Sequence, residues 1–174
     1  MRVNKEKEAI LTYELANSLL DYNPDTGTIL WKVNIGSARI GDILRANSSN
    51  GYSRVGVNKH TYYTHRLAWL LYYKEWPTKL VDHIDGNKTN NSISNLRLAL
   101  PSQNTYNATL SNKNTSGYKG VSKVSNSTKY MARIKDLDGK TKYLGLFLTP
   151  EEASEAYNKA AKELHGEFYK DTRI

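Results

Sequence analysis

The sequence predicts an α+β chain: an N-terminal region of β-hairpins and helices, then a small three-stranded antiparallel sheet packed on one helix. Three observations carry this. Apolar residues recur at helical spacing near the start, in the middle and near the end of the chain. Short strand-like stretches lie between them, punctuated by Asn, Asp, Pro and Gly. Charge is segregated within the last third: Lys113–Lys142 holds eight basic and two acidic residues, whereas Glu151–Asp171 holds six acidic and three basic.

Residues 1–20 read as a short helix, with Ile10, Leu11, Leu15, Leu19 and Leu20 on one face. From Asp21 to Thr64 short strands alternate with turns. Asn23–Gly27 is turn chemistry, Thr28–Lys32 fits a strand, and Asn50-Gly51 signals a hairpin ahead of the alternating Tyr52, Arg54, Val55 and Val57. His65–Tyr73 reads as a mostly buried helix stopped by Pro77. Lys79–His83 fits a strand, Asp85–Ser94 a polar Asn-rich loop, and Asn95–Leu100 a returning strand. Ser102 is expected to cap a helix running to about Leu110.

Ser111–Ser116 has the composition of a linker, which sets the expected domains at 1–112 and 113–174. Beyond it three strands are expected at 118–124, 130–135 and 140–147, the last two joined by Asp138-Gly139. Thr149-Pro-Glu-Glu152 opens a helix with a cap, a proline at its first position and two acids against the dipole. Ala153, Ala156, Tyr157, Ala160, Ala161 and Leu164 form its apolar face, and Gly166 ends it. The sheet is therefore basic and its helix is not, which leaves one sheet face for an acidic ligand.

Composition narrows the function further. The 174 residues carry 25 Lys+Arg against 17 Asp+Glu, a net charge of +8. Positive charge with a mean hydropathy of −0.67 points to nucleic acid before membrane. The longest apolar stretch, Leu67–Tyr73, is far short of the roughly 20 residues a membrane span needs. The charged N-terminus argues against a signal peptide. With no cysteine, disulfides, thiolate nucleophiles and Cys-ligated zinc are excluded, and a reducing cytoplasm is compatible.

Asp82-His83 ends an apolar strand, and Asn95 and Asn104 follow on the returning strand and the next helix. Such a unit can bring these groups together. Phosphodiester hydrolysis needs a base effective near neutral pH, which an imidazole supplies. It also needs an offset for negative charge on the leaving oxygen, which a hard cation on oxygen ligands supplies. His83 suits the first task, and Asp82 with Asn104 the second. Asn95 could orient the imidazole. A histidine at a strand end is otherwise structural, and an Asn-rich loop otherwise satisfies its own backbone through Asx turns. An EF-hand is rejected, since no bidentate Glu follows Asp85-Gly86-Asn87 at the required place.

The residues HRLA (65–68), DHIDGN (82–87), Asn90-Asn91, Asn95-Leu96-Arg97 and Ser102-Gln103-Asn104 resemble the HNH endonucleases, in the subgroup found in phage homing and free-standing enzymes. The resemblance covers about residues 20–112. It implies a ββα-metal unit at about 79–112, with His83 as general base, Asn95 steadying that histidine or the loop, and Asp82 with Asn104 on Mg²⁺ or Mn²⁺. The family's final histidine is Asn104 here, with Asn107 a less favoured substitute. His65 and Arg66 match a second signature. Arg66 is expected to hold a phosphate, against the alternative that His65 packs or caps the helix near the hairpin. His60 and His165 are expected at the surface.

Ser116–Val121, Lys129–Lys135, Tyr143–Phe147 and Thr149–Gly166 resemble a second family, the ethylene-response-factor (apetala) type DNA-binding domain. That resemblance implies a sheet lying in the major groove, with DNA contacts from Lys119, Gly120, Lys123, Arg133, Lys135, Lys142 and Tyr143. Ser122 and Val124 stand where plant members carry Arg, and Arg133 where an acid is usual, so base preference does not carry over. Lys32, Arg39, Arg45, Arg54 and Lys59 are expected to hold DNA from the N-terminal strands. The expectation is a metal-dependent endonuclease, monomeric on double-stranded DNA and away from membranes, acting in a bacterial cytoplasm if phage-encoded. One HNH site is consistent with nicking. The competing reading is a non-catalytic DNA-binding regulator on a vestigial HNH fold.

Overall fold

The computed structural model describes residues 5–44, 51–106, 110 and 114–169. It divides into two compact units, Met1–Leu100 and Pro101–Ile174. Among the described residues the sheets are small and antiparallel: three two-stranded hairpins in the first unit and one three-stranded sheet in the second. Among the described residues no helix is long and apolar enough to cross a membrane.

The first unit starts with two helices where the sequence predicts one, α1 (Lys5–Ile10) and α2 (Tyr13–Leu19). Thr12 separates them, because its hydroxyl accepts the Leu15 N–H and starts a new helix. Leu20, expected at the helix end, instead opens β1 (Leu20–Asn23), which pairs with β2 (Thr28–Trp31). Within the turn, Asn23 Oδ1 accepts the N–H groups of Asp25 and Thr26.

β3 (Arg54–Val57) and β4 (His60–Tyr63) form the second hairpin. Asn50 falls outside the described residues, and this chain reversal is made by Asn58-Lys59, both at positive φ. α3 (Thr64–Tyr73) follows directly, buried from Thr64 to Leu70, and Lys74 ends it in the left-handed region. β5 (Leu80–His83) and β6 (Leu96–Ala99) form the third hairpin, joined by a long polar loop that closes with a single 3₁₀ turn at Ile93–Asn95. One apolar core, including Leu20, Ile29, Val57, Leu67, Leu70, Val81 and Leu96, joins all three hairpins to α2 and α3.

The second unit opens with α4 (Pro101–Tyr106). Ser102, expected as its cap, lies inside the first turn, because the helix already begins at Pro101. The unit boundary accordingly falls ahead of the 112/113 cut that composition suggests. Tyr106 explains this: its ring stacks on His165 at 3.7 Å and its hydroxyl donates to the Asp136 carbonyl at 2.8 Å. His165, expected at the surface, is thus buried, and its Nε2 bonds the Lys135 carbonyl.

β7 (Val121–Lys123), β8 (Tyr130–Lys135) and β9 (Thr141–Phe147) lie in that order, backed by α5 (Pro150–His165). Thr149 and Glu152 close a capping box at the start of α5. Val121, Ala132 and Ile134 face Ala153, Tyr157 and Ala161. The period of two along β8 leaves Arg133 and Lys135 exposed between buried Ala132 and Ile134. Asn107, Arg45 and Lys113 fall outside the described residues.

Candidate active site

The end of β5 carries Asp82 and His83, both buried. The polar loop after them folds on itself, because its asparagines act as backbone surrogates. Asp85 Oδ1 accepts the Asn87 N–H and the Asn95 amide, and Asp85 Oδ2 accepts the Asn90 amide. Asn95 also donates to the Asn90 carbonyl at 2.8 Å and accepts the Asp85 N–H at 3.0 Å. Asn95 therefore steadies the loop. The side chain bonded to the imidazole is that of Asn91, with Oδ1 at 3.1 Å from His83 Nε2.

Asn91 is held by the first hairpin. The Tyr22 hydroxyl donates to the Asn91 carbonyl at 2.8 Å, and the Ile93 N–H donates to the Pro24 carbonyl. Gly27 permits this approach: it has φ +71°, and a Cβ there would lie 2.3 Å from the Asn91 carbonyl carbon. With Asn91 Oδ1 as acceptor, His83 Nε2 carries the proton and Nδ1 keeps the lone pair.

Rings wall the imidazole. His65 meets His83 edge-on at 5.2 Å, and Tyr52 lies 6.0 Å from it. His65 itself lies between Tyr52 at 5.3 Å and Tyr63 at 5.4 Å. Burial pushes the His65 imidazole down to about 3, so it is neutral across the physiological range. Burial also lowers His83, although the Asn91 bond and the charges of Asp82 and Asp85 work against that fall. Burial would raise Asp85, but its hydrogen bonds outweigh this and hold the carboxyl below its ordinary value.

Asp82 faces Arg97 across the β5–β6 ladder. Its Oδ2 accepts Arg97 Nε at 3.0 Å and pairs with the terminal nitrogen at 2.9 Å. Among the described residues, no group of three or more His, Asp or Glu side chains gathers for a metal. Taken singly, the Asp82 carboxylate and the Asn104 amide oxygen are each the donor type that a hard divalent ion takes. Asn104 sits on α4, in the second unit.

Several expected DNA contacts are engaged internally. Arg66, expected on a phosphate, is buried: it pairs with Glu8 and donates to the carbonyls of Lys79 and Pro77. Its helix position turns it into the core beside the buried His65. Lys119 Nζ donates to the Tyr106 carbonyl at 2.6 Å. Gly120 is a packing position, since a Cβ there would meet the Tyr157 ring at 2.1 Å. Arg54 stacks over Tyr63 at 4.4 Å and donates to its hydroxyl. Lys123, Arg133, Lys135, Lys142 and Tyr143 are exposed on the sheet, with Lys142 3.8 Å from Asp136.

Asn91, Tyr52 and Lys88 have no role by sequence reasoning. Asn91 lies in the Asn-rich run, but spacing cannot tell which amide meets the ring. Tyr52 is legible only as a strand residue.

Residues 62–106 match the family model described as HNH endonuclease. An uncharacterized HNH endonuclease of Acanthamoeba polyphaga mimivirus is 45% identical over 95 residues, 54% of this chain and 47% of that protein. Protein 3.8 of Escherichia phage T7 is 55% identical over 42 residues, 24% of this chain and 35% of that one. The chain thus spans about half of the first relative and about a third of the second. The solved structure described as DNA binding and cleavage by the HNH homing endonuclease I-HmuI aligns with TM-score 0.41 and 24% identity, over 83% of this chain and 76% of that one. Residues 62–106, which include the DHIDGN stretch, are thus similar to the HNH endonuclease family.

Proposed function

We propose that the protein is a DNA endonuclease that hydrolyses one phosphodiester bond per site in duplex DNA. His83 Nδ1 takes a proton from the attacking water, the water oxygen bonds to phosphorus, and the P–O3′ bond breaks, the 3′-oxygen taking a proton from solvent water. The products carry 5′-phosphate and 3′-hydroxyl ends. Asn91 holds the ring in the tautomer that leaves the lone pair on Nδ1, and Asn95 holds the loop that presents Asn91. Asp82 and Asn104 would hold one Mg²⁺ or Mn²⁺, which when bound supplies positive charge against the developing oxyanion. Arg97 fixes the Asp82 carboxylate beside the base.

The observation that carries this reading is the buried His83 imidazole, bonded through Nε2 to Asn91 and directly following Asp82 in β5. The C-terminal unit is proposed to bind the same duplex through the sheet face bearing Arg133, Lys135 and Tyr143, with Lys123 and Lys142 at its edges, in the manner of an ethylene-response-factor type domain. Charge segregation and the exposure of these side chains support it. Joining two DNA-binding units in one chain raises the effective concentration of the second contact, which suits a monomer on a long asymmetric site.

The test is plasmid nicking with Mg²⁺ by wild type and His83→Ala. Nicking that disappears in His83→Ala supports the assignment. Cleavage at the wild-type rate in the variant would remove the base. Tight binding with no cleavage by wild type would favour a DNA-binding regulator.

A further inference from the structure

We propose that Lys88, seated on the ring of Tyr52, binds a backbone phosphate of duplex DNA beside His83. The site rests on the endonuclease reading for its partner and adds a contact to it. Lys88 Nζ lies 4.8 Å from the Tyr52 ring centroid. Tyr52 is half-buried and lies against both His65 and His83, so the platform is part of the wall around the base. The backbone beneath Lys88 is equally held. Asn87 Oδ1 accepts both the N–H and the hydroxyl of Thr89, and Asp85 accepts from Asn87 and Asn90 on either side.

A ring face attracts an ammonium through its quadrupole and so positions the charge without neutralising it. A lysine ammonium held this way meets phosphate oxygens as a point charge. Lys88 is exposed. Neighbouring geometry repeats the construction. Arg54 rides on Tyr63 at 4.4 Å, and the Tyr52 and Tyr63 rings meet edge-to-face at 5.9 Å. Two cations, each on its own tyrosine, thus line one aromatic wall whose near end touches His83. A strand crossing that wall meets Lys88 at the phosphate nearest the base.

The experiment uses the full chain as wild type, Lys88→Met and Lys88→Arg. Affinity for a mixed-sequence duplex is measured in EDTA over a KCl series, and nicking of plasmid separately with Mg²⁺. For Lys88→Met the slope of log affinity against log salt should fall by about one, as expected when one fewer phosphate is neutralised. Nicking should slow about tenfold or more, by loss of about 1.4 kcal/mol of transition-state stabilisation. Lys88→Arg should restore the slope and most of the rate, which a purely structural role would not require. A Lys88→Met protein with wild-type affinity and slope overturns the proposal even if nicking by wild type is robust. If wild type does not nick but the slope falls in Lys88→Met and recovers in Lys88→Arg, the phosphate contact stands and the endonuclease reading fails.

Discussion

His83 Nε2 lies 3.1 Å from Asn91 Oδ1, and the two side chains are buried together at the end of β5. This bond selects a tautomer and keeps the ring from rotating. Asn91→Ala should lower the nicking rate about 10- to 100-fold, the range seen for groups that orient a functional histidine. Single-turnover cleavage reads the rate, and duplex affinity in EDTA should stay near wild type. A rate unchanged in Asn91→Ala would mean that another group orients the ring.

Arg66 should matter to folding and not to DNA. Its guanidinium satisfies Glu8 and two carbonyls while almost fully buried. Arg66→Met would strand the Glu8 carboxylate and both carbonyls, at a cost of about 3 kcal/mol. Urea unfolding checks this. The salt dependence of DNA binding by the folded variant should match wild type.

His65 makes the first unit acid-sensitive. Its imidazole is held down to about 3 in the fold, against about 6.5 in the unfolded chain. Between those values the unfolded state binds the extra proton, so stability is full above pH 6.5 and falls as pH drops towards 3. Asp85, lowered from an ordinary carboxylate value, adds its own loss only below about pH 4. Between pH 6.5 and 4, His65→Phe should therefore show a shallower decline than wild type in denaturant unfolding. Equal slopes would mean that His65 can be protonated without cost in the fold.

Gly27 is the hinge of the Asn91 support. Ala there would take a positive φ and drive a Cβ into the backbone of Asn91 and Ser92. Gly27→Ala should destabilise by more than about 1 kcal/mol from the left-handed backbone alone. It should also slow nicking, because the loop that carries Asn91 must retreat. Thermal unfolding and single-turnover cleavage measure the two effects.

Arg133 and Lys135 project from β8 on the face away from α5. Replacing both with Ala should lower the salt slope of duplex binding by about two, with little change in stability. An unchanged slope would assign the sheet to some other acidic partner.

Much of this protein is legible from local chemistry. The strand–turn–strand signals of β1–β2 and β8–β9, the capping residues of α5 and the period of two along β8 are all short-range features. The DHIDGN stretch marks the site, because a carboxylate, an imidazole and a run of asparagines carry their chemistry in their residue types. Less legible are the break at Thr12 and the reversal at Asn58-Lys59. Each depends on which competing local signal the core selects, and Leu20 lies fully buried at the start of β1.

Local residue chemistry suffices for an α+β protein with a basic C-terminal sheet and an Asp82-His83 pair ahead of an Asn-rich loop. Packing sets which amide meets the imidazole, turns Arg66 inward to Glu8 and seats Lys88 on Tyr52. The reason is range. Backbone preferences and spacing act over a few residues, whereas these pairings form between segments that meet only when the core closes. Once it does, burial gives each polar group the choice of a partner or a penalty, and that choice is made in space.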